Sequence, residues 1–203
     1  MKKFLEELRI QRWDDHRYYH QSRINQSLHF VSALSFLVAY AVLFIDPAAA
    51  ALIAWLIAMV TRQSGHFFFE PLGYDEVNGA TQEYKEAIKV GYNLSRKRVL
   101  MGAWVLSPLM IWFAPDLMSF IPAHESWLEW LNDVGWTWLW LGVAALVVRM
   151  VQLTLKQSFR TAVVWLCKII TDPFHDVKIY HKSPIYLLKG ELLDTSMRNG
   201  LSH

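Results

Sequence analysis

The residues with the clearest chemical potential in this 203-residue chain are its histidines, of which there are eight. His16 and His20 are spaced i, i+4, which places both on one face of a helix, and His29 follows nine residues later near the same face. His66 precedes Glu70 by four residues. Imidazole is the commonest metal ligand in proteins, and together with carboxylate it suits iron, zinc or copper. The spacing therefore predicts a metal site built from His20, His29 and His66, with His16 as a further candidate ligand.

A second group of candidate ligands lies near the C-terminus, within residues 171–181. It contains His175, Asp176 and His181, whose side chains suit a metal ion either as ligands or as partners of the ligands. The same residues could instead cap a helix at a membrane surface and bind lipid headgroups. The sequence leaves both interpretations open.

The composition excludes several classes of protein as carriers of these histidines. Hydrophobic residues make up 54% of the chain and charged residues 19%, which is too apolar for a disordered chain. The single cysteine excludes a disulfide framework and a cysteine zinc site. The formal net charge of +2 gives no reason to expect a nucleic-acid partner.

Apolar blocks nearly free of charge divide the chain into four candidate membrane helices. Asp46-Pro47 separates the first two as a tight turn, so they are expected to form a helical hairpin. A spanning helix needs about 20 residues, and the blocks reach this length with short extensions. We expect an all-α polytopic membrane protein with residues 1–203 in a single membrane domain. The predicted transmembrane helices are 28–45, 48–69, 99–121 and 135–155. A soluble all-α bundle with buried helices is the alternative.

The distribution of positive charge favours the membrane. All twenty lysines and arginines lie before the first block, between the second and third, or from Arg149 onward. The positive-inside rule therefore places both termini and the candidate histidines on the cytoplasmic side. Amphipathic surface helices are expected at the N-terminus and over 158–170, followed by a cytoplasmic tail over 171–203. This distribution of lysine and arginine is equally compatible with a bacterial inner membrane and with the endoplasmic reticulum.

Two polar motifs flank the predicted hairpin. The first is Tyr19-His20, then Asn25 and His29, in the pattern Y-H-x4-N-x3-H; the second is Gln-Ser-Gly-His-Phe-Phe-Phe-Glu-Pro over 63–71. Together they resemble the membrane family of 2-hydroxy-fatty-acid dioxygenases, known from the yeast enzyme of phytosphingosine degradation. The resemblance covers residues 16–71, and its matched positions are Tyr19, His20, Asn25, His29, Gln63, Gly65, His66 and Glu70.

The resemblance implies a specific chemistry. Enzymes of that family use Fe(II) and O2 to shorten a 2-hydroxy fatty acid by one carbon. The implied partners are therefore a lipid or fatty-acid substrate, O2 and the membrane, with the iron on His20, His29 and His66. Glu70 would be a further ligand or orient an imidazole, Asn25 would hydrogen-bond a ligand or the substrate carboxylate, and Tyr19 would donate to bound oxygen.

Two other functions are compatible with the same histidines. A membrane di-iron hydroxylase or desaturase also carries cytoplasmic histidines, although such enzymes show paired His-His boxes that this sequence lacks. A non-enzymatic metal-binding membrane protein could use the histidines as a sensor or an assembly factor does. The oligomeric state does not follow from the sequence.

Overall fold

The computed structural model describes residues 2–70, 73–92, 94–114 and 124–194. In these ranges the chain is helical, with two isolated bridges as its only β pairing, which confirms the all-α class. The α-helices are α1 Lys2–Tyr19, α2 Arg23–Val42, α3 Pro47–Ile53, α4 Val60–Phe68, α5 Gln82–Ile88, α6 Leu94–Phe113, α7 Trp127–Lys156, α8 Phe159–Tyr180 and α9 Ser183–Leu188, and a π-helical segment, Ala54–Met59, joins α3 to α4.

The predicted hairpin is present. Helix α2 leads through a short turn into a continuous helix, Pro47–Phe68, and packs along it. The turn is set by Asp46, whose carboxylate accepts the backbone N–H of Ala49 at 3.0 Å, and by Pro47 at the start of the helix. A proline there costs nothing because its missing N–H would have had no partner. The hairpin carries His29 and His66 on its two arms.

Two helices are long and apolar enough to cross a membrane, Pro47–Phe68 and Trp127–Lys156. They correspond to the predicted spans 48–69 and 135–155. Helices α2 and α6, which correspond to the predicted spans 28–45 and 99–121, do not meet the same measure of length and composition. Residues 115–121 lie outside the described residues. Four spans and the orientation of the termini stay predictions.

A buried tryptophan cluster joins the hairpin to α6 and α7. The rings of Trp55, Trp104 and Trp138 lie 5.5–6.5 Å apart by centroid. The indole N–H of Trp55 donates to the carbonyl oxygen of Trp138 at 2.9 Å. Trp55 lies in the π-helical segment, so this cluster fixes the part of the hairpin that leads into α4 and His66.

Helix α8 differs from the prediction. We expected a surface helix over 158–170 and a tail from 171, but one helix continues to Tyr180 with Pro173 in its interior. Lys168 is buried and ion-paired with Asp15 of α1 and with Asp172. These pairs and the packing of α2 along α8 hold the helix together where proline removes a backbone hydrogen bond. Because of this continuation, the residues of the predicted second cluster belong to a helix packed beside the hairpin.

Candidate metal centre

Three of the predicted ligands converge in the structure. One ligand nitrogen from each of His20, His29 and His66 lies within 4.8 Å of the other two. The ring centroids of His20 and His29 are 4.0 Å apart, and His66 lies 4.9 Å from His29 and 5.3 Å from His20. We call these three residues the histidine triad.

The turn between α1 and α2 places His20 over His29. Helix α1 ends at Tyr19, and Ser22 caps α2 by accepting the N–H of Asn25. Two buried amides hold the carbonyl groups of this turn, because Asn25 Nδ2 donates to the Tyr19 carbonyl and Gln26 Nε2 to the His20 carbonyl, each at 2.8 Å. These two hydrogen bonds therefore fix the backbone of His20 independently of the contacts that its ring makes.

Gly65 lets the two arms of the hairpin approach closely at the level of the triad. A Cβ atom at this position would lie 2.1 Å from Asn25 Oδ1 and 3.5 Å from His29 Cδ2. Only glycine leaves this space to the neighbouring helix. The close approach brings His66 of α4 beside His29 of α2, as the hairpin predicted.

Two residues of the triad are buried, and several of its nitrogen atoms have no hydrogen-bond partner. His20 is 4% exposed and His29 is 0% exposed. Nε2 of His20 and both ring nitrogens of His29 are buried and make no hydrogen bond with any described residue. A buried polar atom without a partner costs about 1–3 kcal/mol, so the unpartnered Nε2 atoms of His20 and His29 indicate that a ligand completes the site.

Each Nδ1 atom of the triad faces an oxygen of an outer residue. His20 Nδ1 lies 2.8 Å from the Tyr180 hydroxyl, and His66 Nδ1 lies 2.7 Å from Glu70 Oε2. His29 Nδ1 lies 3.6 Å from Asp176 Oδ2. Outer partners of this kind fix the ring orientation and tautomer of metal-binding histidines. The arrangement leaves Nε2 of each ring for a metal ion.

The outer carboxylates are themselves neutralised by cations. Asp176 accepts from Arg62 at 3.0 Å, and Glu70 lies 3.3 Å from Lys89 Nζ. Burial raises the pKa of Glu70, whereas the neighbouring Lys89 lowers it. Burial also lowers the pKa of His20, with His29 and Arg62 acting in the same direction. His20 is therefore a neutral imidazole, which is the form that binds metal.

The triad is slightly wider than a bound metal ion requires. A metal–imidazole bond is about 2.1 Å long, so two nitrogens on one ion lie up to about 4.2 Å apart. The observed limit of 4.8 Å differs from that by less than 1 Å. The residues that could hold the ion are thus His20, His29 and His66, with Glu70 and Asp176 beside them.

Other predicted site residues have partners of their own outside the triad. The ring of His16 lies 3.0 Å from the Tyr180 hydroxyl through Nδ1, and burial lowers its pKa to about 4. The Tyr19 hydroxyl donates its hydrogen to the carbonyl oxygen of Lys85 at 2.6 Å. This hydrogen is therefore not available for donation to bound oxygen. Asn25 packs against Gly65 and supports the turn, while its Oδ1 is buried without a partner.

The C-terminal candidates separate into two groups. Asp176 faces His29, and His175 lines a small cavity shared with His16 and His20. His181 ends α8 as an exposed residue, and its Nδ1 lies 3.0 Å from the carbonyl oxygen of Lys178. The structure therefore brings the second cluster to the triad through Asp176 but leaves His181 apart from it.

Sequence reasoning missed three residues around the triad: Tyr180, Arg62 and Lys89. Tyr180 contacts His20, whereas Arg62 and Lys89 pair with Asp176 and Glu70. Tyr180 has no local pattern that marks it, because it is 160 residues from His20 along the chain. Arg62 and Lys89 were counted only as cytoplasmic charges. One signal was available for Arg62, since it lies four residues before His66 and so shares its face of α4.

Comparisons with known proteins add no assignment. The chain matches no protein-family model, no curated protein and no solved structure at a significant level. The dioxygenase resemblance therefore has no support beyond its own residues.

Proposed function

We propose that this chain is an Fe(II)-dependent membrane dioxygenase that removes one carbon from a 2-hydroxy fatty acid or a related lipid. The observation that carries the proposal is the convergence of His20, His29 and His66, with the buried Nε2 atoms of His20 and His29 unpartnered. Two of these residues also belong to the Y-H-x4-N-x3-H motif, and the third to the motif over 63–71. The metal site and the resemblance thus depend on the same residues.

The donor set suits a redox metal with open positions. His20, His29 and His66 would hold an Fe(II) ion, which would supply the redox chemistry and leave room for O2 and for the hydroxyl and carboxylate of a 2-hydroxy acid. Glu70 and Tyr180 hold the rings of His66 and His20 in place. Burial of the triad excludes bulk water from the reacting groups.

Positive side chains near the triad favour an anionic substrate. Arg62 and Lys89 are paired with Asp176 and Glu70. Lys97 interacts electrostatically with His66. Burial is the main cause that lowers the pKa of Lys97 to about 7, and the positive charge of Lys89 acts in the same direction. Cations in a low-dielectric site attract a carboxylate group, which a 2-hydroxy fatty acid provides at the reacting end.

A lipid substrate is consistent with the apolar surface of the fold. In the apolar helix Trp127–Lys156, only 17% of the most apolar window is buried within the protein. Its exposed large residues include Trp140, Val147, Val151 and Leu155. An exposed surface of this kind favours lipid contact. We infer that the acyl chain lies among these helices and that the triad, near the end of Pro47–Phe68, meets the polar end on the cytoplasmic side.

The proposed reaction balances with O2 as the sole oxidant. The bond between C1 and C2 of the 2-hydroxy acid breaks, C1 leaves as CO2, and C2 becomes the carboxyl carbon of the shortened acid. C2 loses three electrons and C1 loses one, and these four electrons reduce O2. One oxygen molecule and one 2-hydroxy acid give one shortened acid, one CO2 and one water, so no further reductant is needed.

The structure gives less support to the di-iron alternative. Two irons need two sets of ligands, and the described residues contain one group of three histidine, cysteine or acidic side chains with metal-binding spacing. His16 lies against Tyr180 and His181 against a backbone carbonyl. A single metal ion is therefore the proposal favoured by the geometry.

Oxygen uptake with matched substrates tests the proposed function. Purified protein in mild detergent is loaded anaerobically with Fe(II) and given 2-hydroxyhexadecanoic acid or hexadecanoic acid. We expect one O2 consumed and one pentadecanoic acid formed per 2-hydroxy acid, and no reaction with the acid that lacks the hydroxyl. His66→Ala should abolish the reaction. His124→Ala should not, because His124 stacks on Trp112 and does not belong to the triad. Iron binding without oxygen uptake would contradict the enzyme and leave a metal-binding protein.

A further inference from the structure

Two imidazoles share one buried hydroxyl group beside the triad. The Tyr180 hydroxyl lies 2.8 Å from His20 Nδ1 and 3.0 Å from His16 Nδ1. Tyr180 is 1% exposed, so no bulk water competes for these bonds. His16 and His20 therefore interact through a single tyrosine oxygen.

Counting protons limits how this group of three can be arranged. A tyrosine hydroxyl has one hydrogen to donate, and a neutral imidazole has a hydrogen on only one of its nitrogens. Both bonds are satisfied when one Nδ1 donates to the hydroxyl and the hydroxyl donates to the other Nδ1. If both nitrogens donated, the hydroxyl hydrogen would have neither of them as an acceptor, and a buried unpaired donor is costly.

The two satisfied arrangements have opposite consequences for a metal ion. In the first, His20 carries its hydrogen on Nδ1, so its Nε2 is free to bind metal, and His16 carries its hydrogen on Nε2. In the second, His16 carries its hydrogen on Nδ1, and His20 carries its hydrogen on Nε2, which blocks that atom. A metal ion on the triad is compatible only with the first arrangement.

We propose that Tyr180 is a positioning residue that couples the metal occupancy of the triad to the tautomer of His16. The inference rests on the proposed metal site, and it holds for any divalent ion that the triad binds. Metal binding selects the tautomer of His16 with hydrogen on Nε2. Because coupling between two sites is reciprocal, holding His16 in the other tautomer weakens metal binding to the same degree.

Removal of the hydroxyl should break the coupling and weaken the site. In Tyr180→Phe, neither Nδ1 has its partner, so His20 is no longer held in the metal-binding tautomer. Loss of an outer partner of a metal-binding histidine lowers metal affinity about 10–100-fold. Tyr84→Phe provides the matched control, because Tyr84 is 51% exposed and its ring packs edge-on against Tyr18.

Nuclear magnetic resonance of histidine nitrogens tests the proposal directly. The full chain, labelled with 15N in histidine, is titrated with Zn2+ in detergent micelles at pH 7.5. Zinc is diamagnetic and has no reaction with O2, so the readout does not depend on enzyme activity. Long-range 1H–15N correlation spectra report which ring nitrogen carries the hydrogen, and His16→Gln identifies the signals of His16.

We expect His16 to carry its hydrogen on Nε2 in the zinc-bound state of the unmodified chain and of Tyr84→Phe. In Tyr180→Phe, zinc should bind about 10–100-fold more weakly and leave the tautomer of His16 unchanged. Zinc bound to the unmodified chain while His16 carries its hydrogen on Nδ1 would overturn the coupling but keep the metal site. No zinc binding to that chain would overturn the metal site itself, and with it the coupling. If the Tyr180 variant fails to fold, the tautomer of His16 in the zinc-bound unmodified chain still tests the coupling.

Discussion

Replacing Gly65 with alanine tests whether the close approach of α2 and α4 builds the triad. The new methyl group would lie 2.1 Å from Asn25 Oδ1 and 3.2 Å from Asn25 Cγ. Asn25 is 0% exposed, and its Nδ2 is bonded to the Tyr19 carbonyl at 2.8 Å. The amide therefore cannot turn away without losing that hydrogen bond. Either Asn25 or the whole of α4 must move.

The size of the effect follows from three opposing contributions. Alanine in a helix is about 1 kcal/mol more favourable than glycine. Overpacking in a well-packed interior costs about 1–3 kcal/mol, and loss of the Asn25 hydrogen bond costs about 1 kcal/mol more. The net expectation is a loss of about 1–3 kcal/mol in the free energy of unfolding. Gly102→Ala in α6 meets no atom within 4 Å, so it should show the helix gain alone.

Unfolding of both variants in detergent, compared with the unmodified chain, measures the difference. Gly65→Ala should be less stable than Gly102→Ala by about 2–4 kcal/mol, and it should bind zinc more weakly because His66 moves away from His29. If Gly65→Ala were as stable as Gly102→Ala and bound zinc normally, the close helix contact would not be what positions the triad.

Three further predictions concern the partners of the triad and of α8. Glu70→Gln replaces the charged partner of His66 and should lower metal affinity about 10–100-fold, measured by competition with a chelator; unchanged affinity would exclude Glu70 as its orienting group. Lys168→Met removes the ammonium group that pairs with Asp15 and leaves Asp172 with Arg12 alone, and it should cost about 3 kcal/mol, whereas loss of the exposed ion pair in Arg160→Gln should cost under about 1 kcal/mol; equal unfolding free energies would contradict this. The pKa of His16 in the folded chain, about 4, is below its ordinary value of 6.5, so the unfolded state takes up a proton first as pH falls. This difference should lower the free energy of unfolding by about 2 kcal/mol between pH 7.5 and 5. In His16→Gln, the free energy of unfolding should fall by about 2 kcal/mol less over the same pH range; an equal fall in both proteins would contradict the burial of His16.

The parts of the site that could be predicted from the sequence are those set by local spacing and by the hairpin. The Asp46-Pro47 turn fixes which ends of the two arms meet, so His29 and His66 had to lie at one level. His20 follows from the short turn before α2. These contacts depend on helix period and chain direction, which the sequence displays.

The remainder depends on packing between distant segments. Pro173 reads as a helix terminator, yet the ion pairs of Lys168 and the packing against α2 keep α8 continuous. That continuation places Asp176 and Tyr180 beside the triad. Contacts between residues 160 positions apart leave no periodic signal, so the outer partners of the metal centre could not be assigned from the sequence.

The tyrosine of the first motif has a different partner in the structure from the one that the resemblance implies. The resemblance implies that Tyr19 donates to bound oxygen, but Tyr19 is the last residue of α1 and His20 lies in the turn after it. Its hydroxyl donates to the Lys85 carbonyl, and the ammonium group of Lys89 lies 3.6 Å from its ring centroid. The tyrosine that contacts His20 is Tyr180, at the far end of α8.

Metal content of anaerobically purified protein tests the central claim most directly. Elemental mass spectrometry of the full chain in mild detergent should find about one iron per chain after Fe(II) reconstitution, and His66→Ala should retain less than a tenth of it. About two irons per chain would move the assignment to a di-iron enzyme. No bound metal after reconstitution would contradict the metal centre, and the triad would then be a buried packing group without a metal function.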